Sequence, residues 1–306
     1  MDTGCGKRYG EGEQPSDLKT FIETEILRDD AASGPSEYRS VVVCTHCHFD
    51  HIGGIEFFFD DGAMICASGY DPDFNGPQNR AANSLCAAFG MPTPQYQITH
   101  FLEDGEEIRF EGVSLGLKAL LTPGHTPDSL AIFDEEERVL FVGDTCYRRV
   151  ADLTWGERQD APIVIPLQGN WADFKASLAK LLSFVEAEEA GPSSQRIQIA
   201  CGHTTANAPA AEVLHAVDQF ANRFEAGGVP VATPLPGHQV APGGSSSEGG
   251  FLLWQDPGEP EFSIIAPKRF EREFANRTIP ARKLCRVGEK GRALQYGRTL
   301  GTWPCH

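Results

Sequence analysis

The sequence predicts a mixed α/β (α+β) fold in which sheets pack on each other beneath covering helices. Three observations point there. A block of strand-sized apolar runs fills residues 97–144, and two helix-length stripes follow it, near 171–189 and 209–224. Several of the apolar runs also end in a histidine or aspartate, which suggests strand ends gathered along one sheet edge.

In chain order, apolar Leu18, Phe21, Ile22, Ile26 and Leu27 mark a helix over residues 16–29, with Ser16 as its N-cap. "SVVVCT" (40–45) and "AMICAS" (63–68) read as buried strands. The Ala-rich stretch 79–89 reads as a helix ending at Gly90. "QITHFL", "EEIRF", "VSLGLKALLT", "SLAIFD" and "RVLFVGD" are strands separated by turns such as "EDGE" and "DEEE". A helix from Trp171 to Glu189, a strand "RIQIAC" and a helix from Pro209 to Phe224 come next. Residues 227–250, with "PGGSSSEGG", have the composition of a loop, and "FLLWQ" and "FSIIA" are short strands. This sets one folded domain over residues 1–266 and a basic tail over 267–306.

Composition narrows the function. The chain has 306 residues, enough for a large core without disulfides. No apolar run approaches the roughly 20 residues of a membrane span. The N-terminus "MDTGCGKRYG" lacks the apolar stretch of a signal peptide, so a cytoplasmic location with reduced cysteines is expected. Cys5, Cys44, Cys47, Cys66, Cys86, Cys146 and Cys201 fit buried thiols better than a disulfide framework. The formal charge of −17 disfavours nucleic acid as a partner. The tail holds ten Lys or Arg against three Glu, so it stands at +7 and the preceding 266 residues at −24. Phosphates of coenzyme A or carboxylates of glutathione are candidate partners for it.

The chemistry sits in "VVVCTHCHFDHIGG". His46 and His48, two apart in extended backbone, project to the same face. Asp50 and His51 follow where the two glycines allow a sharp turn into a helix. His125 in "TPGHTPDS", Asp144 in "FVGDT" and His203 in "IACGHTT" each stand at the end of a later strand. One tetrahedral catalytic zinc needs three protein ligands and a water, so these seven suffice for two metals sharing a carboxylate. Nitrogen and oxygen donors suit Zn(II), with Fe or Mn also possible. Asp128 and Tyr147 lie beside these positions and are candidates for shaping the pocket. Isolated His100, His215 and His238 are read as ordinary surface or core residues, and "CTHC" as buried thiols.

Through "THCHFDH", "PGHTPDS", "GDT" and "CGH" the chain resembles the metallo-β-lactamase superfamily of hydrolases. The resemblance implies a four-layer αββα sandwich with the site at one edge of its two sheets. It implies one metal on His46, His48 and His125, a second on Asp50, His51 and His203, and Asp144 bridging them. "DTG" (Asp2 to Gly4) looks like the family's early strand-end motif, whose Asp braces the site from behind. That motif starts here at residue 2, where family members carry several strands before it, so the first sheet is expected to be incomplete. Two metals lower the pKa of a shared water from about 15.7 toward neutrality and polarise a carbonyl or phosphoryl oxygen. Asp50 is placed to orient the hydroxide, and no G-x-S-x-G nucleophile is present. The motif set looks most like the thioesterase and glyoxalase II-like branches, which implies an acyl-CoA or glutathione thioester as substrate. Alternatives are a lactone or other ester hydrolase, a mononuclear-iron persulfide dioxygenase, and a non-catalytic truncated form.

Overall fold

The computed structural model describes residues 1–6, 17–27, 38–148, 162–191, 195–234, 250–258 and 261–277. In chain order the strands are β1 (Val41–Val43), β2 (Met64–Ser68), β3 (His100–Leu102), β4 (Glu107–Phe110), β5 (Val113–Leu121), β6 (Leu130–Asp134), β7 (Val139–Phe141), β8 (Ile163–Val164), β9 (Gln198–Ala200), β10 (Ala208–Pro209), β11 (Val231–Pro234), β12 (Phe251–Gln255) and β13 (Ser263–Pro267). The helices are α1 (Leu18–Phe21), α2 (Phe49–Ile52), α3 (Ile55–Phe59), α4 (Arg80–Asn83), α5 (Trp171–Glu189), α6 (Ala210–Glu225) and α7 (Arg269–Arg277).

Among the described residues three sheets form: a parallel β1-β2-β3, a six-stranded β10-β9-β7-β6-β5-β4, and a four-stranded β11-β12-β13-β8. Side-chain alternation along the strands sets the layers, because successive residues face opposite sides of a sheet. Val43, Cys66 and Leu102 of the first sheet pack against Ile108, Ala119, Leu130 and Ile132 of the second. Their neighbours face outward. Val42 and Ile65 pack with Ile52, Ile55 and Phe58 of α2 and α3. Leu120, Ala131, Phe133, Leu140 and Ile199 pack with α5 and α6. The order helices, sheet, sheet, helices is the αββα arrangement expected from the motifs. The first sheet has three strands among the described residues, with β1 at its edge, where the Asp2 N–H donates to Val43 O at 3.0 Å.

Helix α5 covers the span its apolar stripe predicts. Asn170 caps it by accepting from the N–H groups of Ala172 and Asp173. Phe174, Leu178, Leu181 and Val185 are buried along one face, each contributing about 1.5–3 kcal/mol relative to exposure. The cap also ties the helix to the site, since the Asn170 N–H donates to Gly124 O beside His125.

Several expectations change. Asp17, not Ser16, caps the first helix, accepting from the Thr20 N–H at 2.8 Å, and Ser16 lies outside the described residues. The stretch 79–89 is not one helix: α4 ends at Asn83, Leu85 takes a left-handed backbone (φ +61), and a 3-10 turn follows over Cys86–Phe89. Leu85 removes the repeating αR geometry that the Ala-rich composition favours. Residues 231–234 form β11, within the span read as a loop, and "PGGSSSEGG" up to residue 249 lies outside the described residues. Cys5 is exposed and Cys201 half-buried, while the other five described cysteines are buried and free. The basic segment begins as α7, whose Phe270 and Phe274 enter the core beside Trp171 and Phe224. Its later basic residues, Arg282 to Arg298, lie outside the described residues. Among the described residues no helix is long and apolar enough to cross a membrane.

Candidate metal centre

The strand β1 ends one residue before Cys44, whose N–H still pairs with Cys66 O. The backbone then bends at Thr45 and reaches His48, whose extended conformation (φ −68, ψ 154) starts the one-turn helix α2. His46 and His48 therefore converge: His46 Nε2 lies 3.0 Å from His48 Nδ1. His125, carried on the turn after β5, brings its Nε2 to 3.1 Å from the same His48 nitrogen. Helix α2 lifts Asp50 and His51 toward a second group. His51 Nε2 is 3.1 Å from Asp144 Oδ1, and His203 Nε2 is 3.4 Å from Asp50 Oδ2 and 3.3 Å from Asp144 Oδ2.

The structure thus brings all seven sequence candidates together, as two clusters. One is His46, His48 and His125; the other is Asp50, His51, Asp144 and His203. Asp144 stands between them, with Oδ2 3.9 Å from His46 Nε2 and 3.8 Å from His125 Nε2.

Donor chemistry fits divalent cations. Nitrogens 3.0–3.1 Å apart approximate the edge of a tetrahedron with metal–nitrogen bonds of about 2.0–2.1 Å, whose edges are roughly 3.3 Å. His51 Nε2 and Asp144 Oδ1 are buried without a hydrogen-bond partner although they are only 3.1 Å apart. Buried polar atoms left in that state are costly unless another group satisfies them. Imidazole and carboxylate donors without thiolate suit Zn, Fe or Mn alike.

Electrostatics divide the two clusters. Burial, reinforced by neighbouring imidazoles, holds His46 well below the usual histidine range and pushes His48 down to about 3. Burial likewise lowers His125, which makes the first cluster three neutral imidazoles. In the second, burial disfavours charge on His51, but the carboxylates of Asp144 and Asp2 outweigh it and raise it well above that range. Hydrogen bonding to Asp144 and Asp50 lifts His203 to about 10. In return, burial opposes charge on Asp144 and Asp50, yet His51 and His203 hold both carboxylates below their ordinary range.

These shifts carry a sign. His203 of the metal-free protein titrates at about 10 against an ordinary 6.5, so its stabilisation is complete below pH 6.5 and is lost as pH rises through 10. A metal needs the deprotonated imidazole, so loading at pH 7 should release protons and tighten as pH rises. Calorimetry of metal loading in buffers of different ionisation heat reads the protons released; none released would contradict the shift.

Groups behind the ligands set their orientation. Asp2 accepts from the Thr45 N–H at 2.7 Å and Thr45 Oγ1 at 2.8 Å, and its Oδ2 lies 2.9 Å from His51 Nδ1. Val164 O lies 2.7 Å from His125 Nδ1. Each carbonyl or carboxylate holds its imidazole so that the other nitrogen faces the cluster. Replacing Asp2 by Ala should weaken metal binding by about 10–100-fold, read by competition with a chromogenic chelator. Asp128 is buried, and burial pushes its carboxyl up to about 7 while Thr126 Oγ1 donates to it at 2.8 Å. Tyr147 is 2 % exposed, packs its ring against His203 at 5.3 Å between centroids, and leaves its hydroxyl without a hydrogen-bond partner.

Sequence reasoning missed two contributors. Thr45 links Asp2 to the cluster, and its Oγ1 also lies 3.2 Å from His46 Nδ1. Strand β8 supplies the carbonyl for His125 but is only two residues long, too short for a periodic signal. The glycines of "HIGG" also serve otherwise than expected. Gly53 has an ordinary helical backbone (φ −58), but a Cβ there would lie 2.4 Å from the Cys5 carbonyl carbon. It admits the residue 2–6 segment that carries Asp2, and no turn requires it. His100 and His215 lie at the surface beside Glu106 and Glu186, and His238 is outside the described residues.

Residues 40–193, half of the chain, match the model of the Metallo-beta-lactamase superfamily. The chain belongs to that superfamily. The match takes in six of the seven clustered residues; His203 lies beyond it. A relative in Aspergillus versicolor, named putative transcription factor avaE, is 26 % identical over 75 % of this chain and 71 % of its own length. The acyl-coenzyme A thioesterase MBLAC2 of Bos taurus is 28 % identical over 48 % of this chain and 53 % of its own length. The chain thus spans about half of that thioesterase. A metallo-beta-lactamase from Pontibacter korlensis of known structure is 16 % identical over 72 % of this chain and 80 % of its own, with a TM-score of 0.46. This superfamily member carries a histidine and aspartate cluster competent for divalent metal.

Proposed function

We propose that the chain is a metal-dependent hydrolase that cleaves a thioester of the acyl-CoA or glutathione type. The observation that carries this reading is Asp144, whose carboxylate lies within 3.1–3.9 Å of nitrogens from both clusters, the relation a shared ligand needs. His46, His48 and His125 would hold one Zn(II), Asp50, His51 and His203 a second, and Asp144 both. Bound there, the two cations supply hydroxide at neutral pH and polarise the carbonyl. Relatives named as thioesterases support the substrate class.

The protein's own groups do the remaining work. Asp50 is 19 % exposed and ionised, so the oxygen not facing His203 can accept a hydrogen bond from the attacking water and take its proton. Attack on the carbonyl carbon breaks the C–S bond, and the departing thiolate takes up a proton from solvent. Tyr147 offers an unpartnered hydroxyl beside His203, a donor for the oxygen on which charge develops. Asp2 and Thr45 keep His51 aimed throughout.

Metal analysis of the purified protein, joined to assays on acyl-CoA, glutathione thioester and lactone substrates, tests the proposal. Two zinc per chain with thioester turnover is the expected result. One iron with persulfide oxidation, or preferred lactone turnover, overturns it in favour of those chemistries, and a metal-free inactive protein overturns hydrolysis altogether.

A further inference from the structure

Residues 69–99 join β2 to β3 and contribute no ligand to the clusters. They are braced on Arg80, which is 2 % exposed. Its Nε donates to Asn75 Oδ1 at 3.1 Å, Nη1 to Tyr96 O at 3.0 Å and Nη2 to Asn75 O at 3.1 Å. The guanidinium also lies over the Tyr96 ring, 3.5 Å from its centroid. A planar guanidinium satisfied by neutral oxygens and a ring fixes the shape of the segment around it.

From this base the 3-10 turn Cys86–Phe89 projects between two left-handed residues, Leu85 (φ +61) and Gly90 (φ +68). Left-handed backbone at a leucine is strained and persists only where its surroundings impose it. The turn ends in Phe89, which is 51 % exposed and stacks on Phe49 with ring centroids 4.0 Å apart and planes at 19°. Phe49 stands in the chain between His48 and Asp50. A half-exposed aromatic pair therefore lies against the segment that supplies four of the seven donors.

Phe49 follows one donor, His48, and precedes another, Asp50, so its Cα lies about 3.8 Å along the chain from each of theirs, which puts the stack within reach of a substrate whose carbonyl is at the cluster. The stack is apolar, and the other charged side chains of residues 69–99 are Asp71 and Asp73. A polyanionic thiol carrier is disfavoured beside such a surface, whereas a neutral hydrocarbon or aryl group gains by covering it.

We infer that Phe89 and Phe49 form the acyl-recognition face of the site, selecting thioesters with a medium-chain or aromatic acyl group over acetyl. This inference rests on the thioesterase reading above. Its test compares kcat/KM of the zinc-loaded wild type, Phe89→Ala and Phe89→Leu on acetyl-, octanoyl- and benzoyl-CoA, and on octanoyl-glutathione. The wild type should favour octanoyl and benzoyl over acetyl. Phe89→Ala should reduce that preference about tenfold, mainly through KM, and leave the CoA to glutathione ratio unchanged; Phe89→Leu should restore most of the octanoyl preference. Metal content and melting temperature should match the wild type, since the side chain is half exposed.

A wild-type preference for acetyl, an unshifted acyl ratio in Phe89→Ala, or a shift in the carrier ratio instead would each overturn the inference while leaving thioester hydrolysis standing. A wild type inactive on every thioester overturns both.

Discussion

Hydrolysis by the Asp50→Ala variant is expected to fall by roughly 10³-fold, the middle of the range for loss of a positioned proton acceptor. The reason is the double duty of this carboxylate. One oxygen faces His203 at 3.4 Å, and the residue retains access to solvent, where a water can be held. Its pKa is kept below the ordinary range by His203 and His51 against the pull of burial, so it stays ionised through neutral pH. The assay is kcat on the best thioester, with metal content measured on the same sample. His46, His48 and His125 make no hydrogen bond to Asp50, so the first cluster should keep its metal. Near-normal turnover would sink the mechanism.

Asp144→Ala should be more damaging to metal content than any single histidine change. Both carboxylate oxygens are engaged: Oδ1 faces His51, and Oδ2 faces His203, His46 and His125. Removing it takes a donor from both clusters and leaves His51 and His203 without the main carboxylate that raises their affinity for protons. The expected outcome is less than one metal per chain by elemental analysis and no measurable hydrolysis. Retention of two metals would show that Asp144 does not bridge. The site also limits what can stand beside it: a Cβ at Gly202 would lie 2.3 Å from Asp144 Oδ1 and 3.0 Å from His51 Cε1. The glycine of "CGH" is thus required by close approach alone, with no unusual backbone angle.

Much of the fold was legible because its strongest signals are local. Helix α5 carries an apolar stripe at helical spacing and strands β5, β6 and β12 are short apolar-rich runs bounded by turn or polar residues, and their observed spans follow these signals closely. Failures fell where local preference and tertiary demand conflict. An alanine-rich stretch favours a continuous helix, but the turn that presents Phe89 bends the chain at Leu85. Strands β8 and β10, of two residues each, have no period to read. Strand β8 pairs with β13, about a hundred residues later in the chain, and β10 is set by its antiparallel register on the nearby β9.

For the site, residue type and spacing alone nominated His46, His48, Asp50, His51, His125, Asp144 and His203, because few other uses bring such donors to successive strand ends. The resemblance already implied their division into two groups with Asp144 between, but only the tertiary structure decided that one group is of neutral imidazoles and the other charged. That division depends on burial and on distances across residues far apart in the chain, which set which imidazoles lose their protons and which carboxylates keep their charge. It also decided that Asp2 reaches His51 through a gap held open by Gly53, and that Phe89 leans on Phe49 beside the ligands. A linear sequence carries the chemistry of each side chain, whereas approach between side chains is set by how the layers close over one another.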